Sequence, residues 1–334
     1  MNDATSAGRT SNWWLHLRKW CSWLILGSVG ALALVTVLTF FASRWWLADL
    51  CANLRIQVGI GLTAAAVVLG GLRKWKLAAF QLALLCVHVP WFLDTSQTTP
   101  YVEAADKGLR LTTANVLTVN RRYQGIKTEL LSSNADVVAV VELNSELAKA
   151  LSTDFSEQYP YSTKEPQDGG GFGIGLYSKL PLESPGIVYF NSDRMPSVAA
   201  TLTFDGRKVH VLATHILPPI GSRGFAHRNK HLKMICDYVR ERREEFPTVP
   251  VIVLGDLNLT PWSPIFHDTL RSAKLSRAAT GYGLTPTWYR FRSFPFGLVL
   301  DHVLITNGGG CIACDVGKDV GSDHRFVTVE LKMP

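Results

Sequence analysis

Residues 249–258 read VPVIVLGDLN: an apolar run, a glycine, then a carboxylate and a carboxamide two positions apart at Asp256 and Asn258. An apolar run of this length without polar alternation predicts a strand covered on both faces. Polar residues at the carboxyl end of such a strand are placed to project chemistry into a cleft. The pattern recurs along the chain. Strand-like runs cover residues 109–114, 136–141, 172–177, 198–204, 209–214, 298–305 and 326–331, and Asn115, Glu142 and His215 each stand at the end of one of them. Asp301 interrupts a further run, and Asp323 with His324 immediately precedes the last. Asp205 and Gly206 between two runs form a two-residue hairpin signal. Helical patterns over 123–133, 145–153, 224–246 and 264–272 are few beside these strands, so the soluble part reads as α+β.

Taken singly, these are ordinary turn and cap residues. Their joint order is not ordinary: ANV, VVELN, ATHI, VLGDLN, TPTW, LDHV and GSDH follow one another over residues 114–324. In this the chain resembles the endonuclease/exonuclease/phosphatase superfamily, which includes neutral sphingomyelinases and inositol polyphosphate 5-phosphatases. The resemblance implies a four-layered α/β/β/α sandwich and a metal-assisted attack of water on phosphorus. It also implies roles for individual residues. Glu142 is the principal metal ligand, with Asn115 beside it and Asp323 completing the metal environment. His324 contacts the phosphate or moves a proton, and Asp301 orients it. Asp256 positions or deprotonates the water, Asn258 donates to the phosphoryl group, and His215 stabilises developing charge. Hard oxygen donors of this kind suit Mg²⁺ or Mn²⁺. Nuclease members often carry an Asp where Leu117 stands, which leaves Asn120 as the nearby substitute. Trp288 reads as a packing residue, and His302 should face away if Asp301 faces the site.

Upstream of residue 94 the composition changes. Eight of the ten Trp residues lie at or before Trp91, around three apolar stretches at about 20–42, 55–72 and 76–93. Each is long enough, or nearly so, to span a hydrocarbon core as a helix, and the Trp residues bracket them as an interfacial belt. Residues 1–93 are therefore expected to form a membrane region, 94–106 a polar linker, and 107–334 a catalytic domain. Arg9, Arg18 and Lys19 before the first stretch, and Arg73, Lys74 and Lys76 before the third, mark the cytoplasmic side. Three crossings then place the catalytic domain outside the cytoplasm of a bacterial inner membrane. His88 is expected to reach the interface at the end of its span.

Charge narrows the choice of substrate. Residues 1–100 hold eight basic against three acidic side chains, whereas residues 101–334 hold 26 against 24, a net of only +2. A domain that grips nucleic acid usually carries a clear basic excess. The reading is accordingly a metal-dependent phosphoesterase acting on a membrane-associated, lipid-linked or otherwise extracytoplasmic phosphoester. A DNA nuclease ranks second, and an inactive membrane-bound interaction module third. Arg223, Arg228, Lys230, Arg290 and Arg292 are candidates for phosphate or headgroup contacts, or else solvated surface charge. Cys311 and Cys314 form a single CxxC with no second pair to complete a zinc site.

Overall fold

The computed structural model describes residues 13–103, 107–190, 195–281, 283–291, 296–306 and 308–334. Arg9, Arg292 and residues 104–106 of the expected linker lie outside these. Four helices come first: α1 (Trp13–Leu38), α2 (Trp46–Asn53), α3 (Arg55–Gly71) and α4 (Trp75–Leu93). Two segments, Lys19–Phe41 and Trp75–Leu93, are long and apolar enough to cross a membrane. The count rises to three if α2 and α3, which meet at a 67° bend, are taken as one broken span. Trp20, Trp23, Leu24, Phe40, Val67 and Trp75 are all exposed on these helices, a larger apolar surface than a water-soluble protein ordinarily presents.

The remainder of the chain runs β1 (Leu109–Asn115), α5 (Tyr123–Ser132), β2 (Val137–Val141), α6 (Ser145–Ala150), α7 (Asp154–Gln158), β3 (Tyr161–Glu165), β4 (Ile174–Ser178), β5 (Glu183–Tyr189), β6 (Pro196–Phe204) and β7 (Arg207–His215). It continues through α8 (Gly221–Glu245), β8 (Val251–Asp256), α9 (Pro264–Ala273), β9 (Leu275–Arg277), β10 (Trp288–Tyr289), β11 (Gly297–Leu298), β12 (Asp301–Thr306), β13 (Gly310–Val316) and β14 (Val327–Lys332). Two six-stranded sheets result, ordered β13-β14-β1-β2-β4-β3 and β5-β6-β7-β8-β12-β9. Leu111, Val137 and Leu176 of the first meet Val211, Ile252 and Val303 of the second in one core between the sheets. A second core lies between the second sheet and α8 and α9, and a third between the first sheet and α5 to α7. These are the four layers implied by the resemblance. Asp205 and Gly206 close the β6–β7 hairpin with φ of 47° and 73°, the left-handed pair that a two-residue turn requires.

Gly255 shows how tightly the second sheet is built. Its φ is 150°, and a Cβ placed there would lie 1.7 Å from the carbonyl oxygen of Thr214 on the parallel neighbour β7. Gly255→Ala should cost at least ~3 kcal/mol, since it combines an overpacked core with a strained backbone. Thermal unfolding would register this; a variant as stable as wild type would contradict the close approach.

The N-terminal helices do not hang from a free tether. In the segment expected to be a linker, Thr99 donates to the Arg277 carbonyl at 2.8 Å, Arg277 to that of Gln97 at 2.8 Å, and Cys311 to that of Pro100 at 2.9 Å. The helices also dock directly on the layered domain. The Asn53 carboxamide oxygen accepts from the N–H and hydroxyl of Thr260, the Trp262 indole donates to the Asn53 carbonyl at 2.9 Å, and Arg55 donates to the Trp262 carbonyl at 3.1 Å. The Arg55 guanidinium lies 4.3 Å from the centre of the Trp91 ring. Two sequence expectations change here. His88 is wholly buried and does not reach an interface: it lies between Thr36 at 3.1 Å and Arg55 at 3.4 Å. Arg228 is neither a phosphate contact nor surface charge, because it is wholly buried and paired with Asp49 of α2 at 2.6 Å.

Removing one member of a buried ion pair strands the other charge. Arg228→Met should therefore destabilise the full chain by about 3–5 kcal/mol, and Asp49→Leu together with Arg228→Met should recover most of that loss. Unfolding in detergent distinguishes the two variants. A single variant as stable as wild type would mean that the docking seen here is dispensable.

Candidate active site

Strand register assembles the centre of the site. On the second sheet, His215 of β7 stands opposite Asp256 of β8, and Asp301 of β12 stands opposite Asp256 from the other side. Three neighbouring strands thus deliver His215, Asp256 and Asp301 in one row. His324, in the loop before β14, adds its ring to this row: Nδ1 lies 2.8 Å from Asp301 Oδ2, and Nε2 lies 3.6 Å from Asp256 Oδ2. His215 Nε2 is 3.5 Å from the same Asp256 oxygen. All four side chains are buried.

The first sheet supplies the other half. Asn115, at the end of β1, donates through Nδ2 to Glu142 Oε1 at 3.0 Å and to Asp256 Oδ2 at 3.1 Å, so one carboxamide bridges two carboxylates. Glu142 follows β2 directly and has φ of 59°. A left-handed non-glycine residue is costly, and such positions cluster at functional sites. Here the turn carries the carboxylate to the N–H of Thr118, which donates to Oε2 at 3.1 Å. Gly171 lies against the same carboxylate. Asn258 is also left-handed, at φ 48°. Its backbone N–H donates to Asp256 Oδ1 at 2.9 Å, and one amide N–H is bonded to the Ile216 carbonyl at 2.8 Å, leaving its second for a ligand.

Burial alone would lower the proton affinity of the His324 ring, but the carboxylates of Asp301 and Asp256 outweigh it and raise the ring to about 10. The flanking carboxylates therefore favour its imidazolium form. His215 is likewise raised against its own burial, by Asp256 and then Glu142. Asp256 is desolvated, yet the two imidazoles hold its carboxyl below the ordinary range. The site is a cluster of alternating charges enclosed by protein, in which each interaction is stronger than it would be in water.

Every candidate read from the sequence except Asn120 and the basic residues meets here. Asp323 lines the same cavity and accepts from the Trp288 indole at 2.8 Å, so Trp288 both packs and positions. His302 points away, with Nε2 2.8 Å from the Leu259 carbonyl and its ring against Phe266. Asn120 faces the loop, donating to the Val116 and Val320 carbonyls, each at 3.2 Å. Three supporting residues were not anticipated. Thr118 holds Glu142. Thr287 accepts from the backbone N–H of Asp301 at 3.1 Å. Ser322 donates to the Asn115 carbonyl at 2.8 Å and accepts from the His324 N–H at 3.0 Å. The second Thr of TPTW and the Ser of GSDH were the available signals for the last two; Thr118 lies in none of these motifs.

Two sets of donors are candidates for a cation. Asp256, Asp301 and His324 have ligand atoms within 4.8 Å of one another. Asp301 Oδ2 is bonded to His324 Nδ1, which leaves its Oδ1, buried and without a partner, as the oxygen this group could offer. Glu142 and Asn115, beside Asp256, fit better. The amide oxygen and nitrogen of Asn115 are distinguished only by their hydrogen bonds. As placed, Oδ1 accepts from the Leu117 N–H at 3.1 Å, so turning an oxygen toward the two carboxylates, the all-oxygen set a hard divalent ion prefers, would give up that contact.

Paired sheets that bring buried histidines and carboxylates together at one end of their central strands, with an oxygen-rich donor group beside them, fit a phosphoester hydrolase. The family model described as the Endonuclease/Exonuclease/phosphatase family matches residues 112–324, and the chain belongs to that family. Its enzymes are hydrolases of phosphoester bonds that depend on a divalent metal. Among solved structures, sphingomyelinase C from Streptomyces griseocarneus aligns at 19% identity and a TM-score of 0.54, covering 67% of this chain and 99% of its own. TDP2 from D. rerio, complexed with single strand DNA product, aligns at 17% identity and 0.54, covering 68% and 100%. An endonuclease/exonuclease/phosphatase from Beutenbergia cavernae aligns at 21% identity and 0.55, covering 68% and 72%. At these identities the likeness is one of fold. No curated protein matches the sequence.

Proposed function

We propose that this protein is a multi-pass phosphoesterase of a bacterial inner membrane that uses Mg²⁺ or Mn²⁺ to hydrolyse a membrane-associated phosphoester on the extracytoplasmic side. One observation carries the reading: Leu50 and Asn53 of the N-terminal helix α2 line the same cavity as Glu142, His215, Asp256 and His324. A helix of the apolar N-terminal region thus borders the same cavity as the charged cluster. The topology is supported by the same contact. If α1 crosses the membrane once, residues 42–54 and the catalytic domain lie on one side, as their docking requires. Helix α3 carries the chain away from that docking for 17 residues, about 25 Å at the helical rise, toward Arg73 and Lys74. Those charges then sit on the cytoplasmic face.

In this reading Glu142 and Asn115, with Asp323 of the same cavity, would hold the cation. When bound, it neutralises charge developing on the phosphoryl oxygens. Asp256 orients or deprotonates the attacking water. His324, fixed by Asp301, donates to the phosphoryl group, and His215 adds a second donor. The remaining Asn258 N–H completes the cradle.

Chelation with EDTA should abolish hydrolysis by the full chain, and Mg²⁺ or Mn²⁺ should restore it. A reporter fused after Pro334 that works only outside the cytoplasm should be active, and the same reporter placed after Lys74 should be silent. Metal-independent hydrolysis, or the opposite reporter pattern, would refute the corresponding half of the proposal.

A further inference from the structure

The active-site cavity has a volume of about 580 Å³, within the range of pockets that enclose a whole small molecule and well beyond the needs of a phosphoryl group. Its walls differ in chemistry. One part of the lining is the charged cluster. The other is apolar and built from three separate elements: Leu50 from α2, Leu217, Pro219 and Ile220 from the loop after β7, and Leu298 with Leu300 around β11. These elements are held in register by the docking contacts, including the Gln57 amide of α3 on the Gly297 carbonyl at 2.7 Å. Ile220 is 73% exposed at the rim. Leu54, one turn beyond Leu50, is also exposed, so apolar surface continues from the cavity onto the N-terminal helices.

Among the described residues, no Lys or Arg lines this cavity. A polynucleotide presents phosphates on both sides of the scissile one, and its affinity comes chiefly from cations that meet them. This cavity offers an isolated phosphoester one charged end and an apolar remainder.

We infer that the apolar wall is a subsite for the hydrocarbon part of a lipid phosphoester, and that Leu50, Ile220 and Leu298 determine specificity by contacting it. This rests on the phosphoesterase reading and names its substrate class. The lipid reaches the site along α2 with its headgroup phosphorus against the Asp256 and His324 cluster. The catalytic domain then need not extract the lipid fully into water, because the anchor supplies part of the apolar environment that replaces the bilayer.

The test uses the full chain with Mg²⁺ in one detergent. Long-chain and short-chain pairs of phosphatidic acid and phosphatidylglycerol cover monoester and diester chemistry, alongside p-nitrophenyl phosphate, bis(p-nitrophenyl) phosphate and plasmid DNA. The expected result is a kcat/KM for the long-chain member of the preferred pair at least ~10-fold above the short-chain member, the increment that burying one or two apolar groups supplies. Ile220→Gln and Leu50→Asn should each lower that ratio at least ~3-fold, a fraction of one side chain's transfer free energy. Ile220→Gln changes an exposed residue, so its folding is not at risk. A ratio near one, ratios unmoved by both variants, or a preference for DNA, with phosphoesters still hydrolysed, would overturn the lipid subsite and leave the phosphoesterase intact. Hydrolysis of none of these esters would overturn both.

Discussion

Asp256→Asn should lower kcat by at least ~10³-fold, within the range that a single proton-handling or water-positioning group contributes. No other side chain in the site meets so many partners. Asp256 Oδ2 accepts from Asn115 and approaches both His215 and His324, while Oδ1 accepts from the Asn258 backbone. The asparagine has the same shape but no charge to set the two imidazoles, and one of its oxygens becomes an N–H donor. The row on the second sheet keeps its backbone pairing, so melting temperature should change far less than rate. Single-turnover hydrolysis read beside thermal unfolding separates the two effects. Activity within tenfold of wild type would remove Asp256 from the centre of the mechanism.

Glu142→Gln should raise the Mg²⁺ concentration for half-maximal activity by about 100-fold or more, since even groups that merely orient a ligand cost 10–100-fold in metal affinity. Glu142 is the charged member of the better-fitting donor set. Its oxygens are held by Asn115 and Thr118 toward the cavity, and its left-handed backbone is retained at that point. Calorimetric titration with Mn²⁺ reads the loss without reference to turnover. Unchanged Mn²⁺ affinity would shift the cation to the Asp256, Asp301 and His324 group, where Asp301→Asn should then be the damaging change.

The two predictions involve residues that the sequence displayed openly, and the reason is physical. Central strands are buried on both faces and read as unbroken apolar runs, so their carboxyl ends, and hence Asn115, Glu142, His215 and Asp256, could be located by inspection. The strands that escaped notice include β3, β5, β9 and β13, which are the four sheet edges. β3 and β5 are largely exposed, as edges that must resist pairing with other chains tend to be, and they lack an apolar signature.

The docking of the N-terminal helices was illegible for a different reason. Asp49, Asn53 and Arg55 carried no signal, because contact with Arg228, Thr260 and Trp262 some two hundred positions later leaves no local pattern, and His88 read as an interfacial group because its partners Thr36 and Arg55 lie on other helices. Arg228 was misread for the same cause. The consequence reaches function: a catalytic fragment beginning near residue 101 would expose the docking surface and lose Leu50 and Asn53 from its active site.

The most direct measurement is therefore hydrolysis by the full chain in lipid nanodiscs, with Mg²⁺ or with EDTA, of embedded phosphatidic acid and phosphatidylglycerol against plasmid DNA in solution. Mg²⁺-dependent turnover of an embedded phospholipid, absent in Asp256→Asn and exceeding any cleavage of DNA, is the predicted result. Efficient DNA cleavage with the embedded lipids untouched would contradict it, and would make the N-terminal helices an anchor for a nuclease instead of a wall of a lipid site.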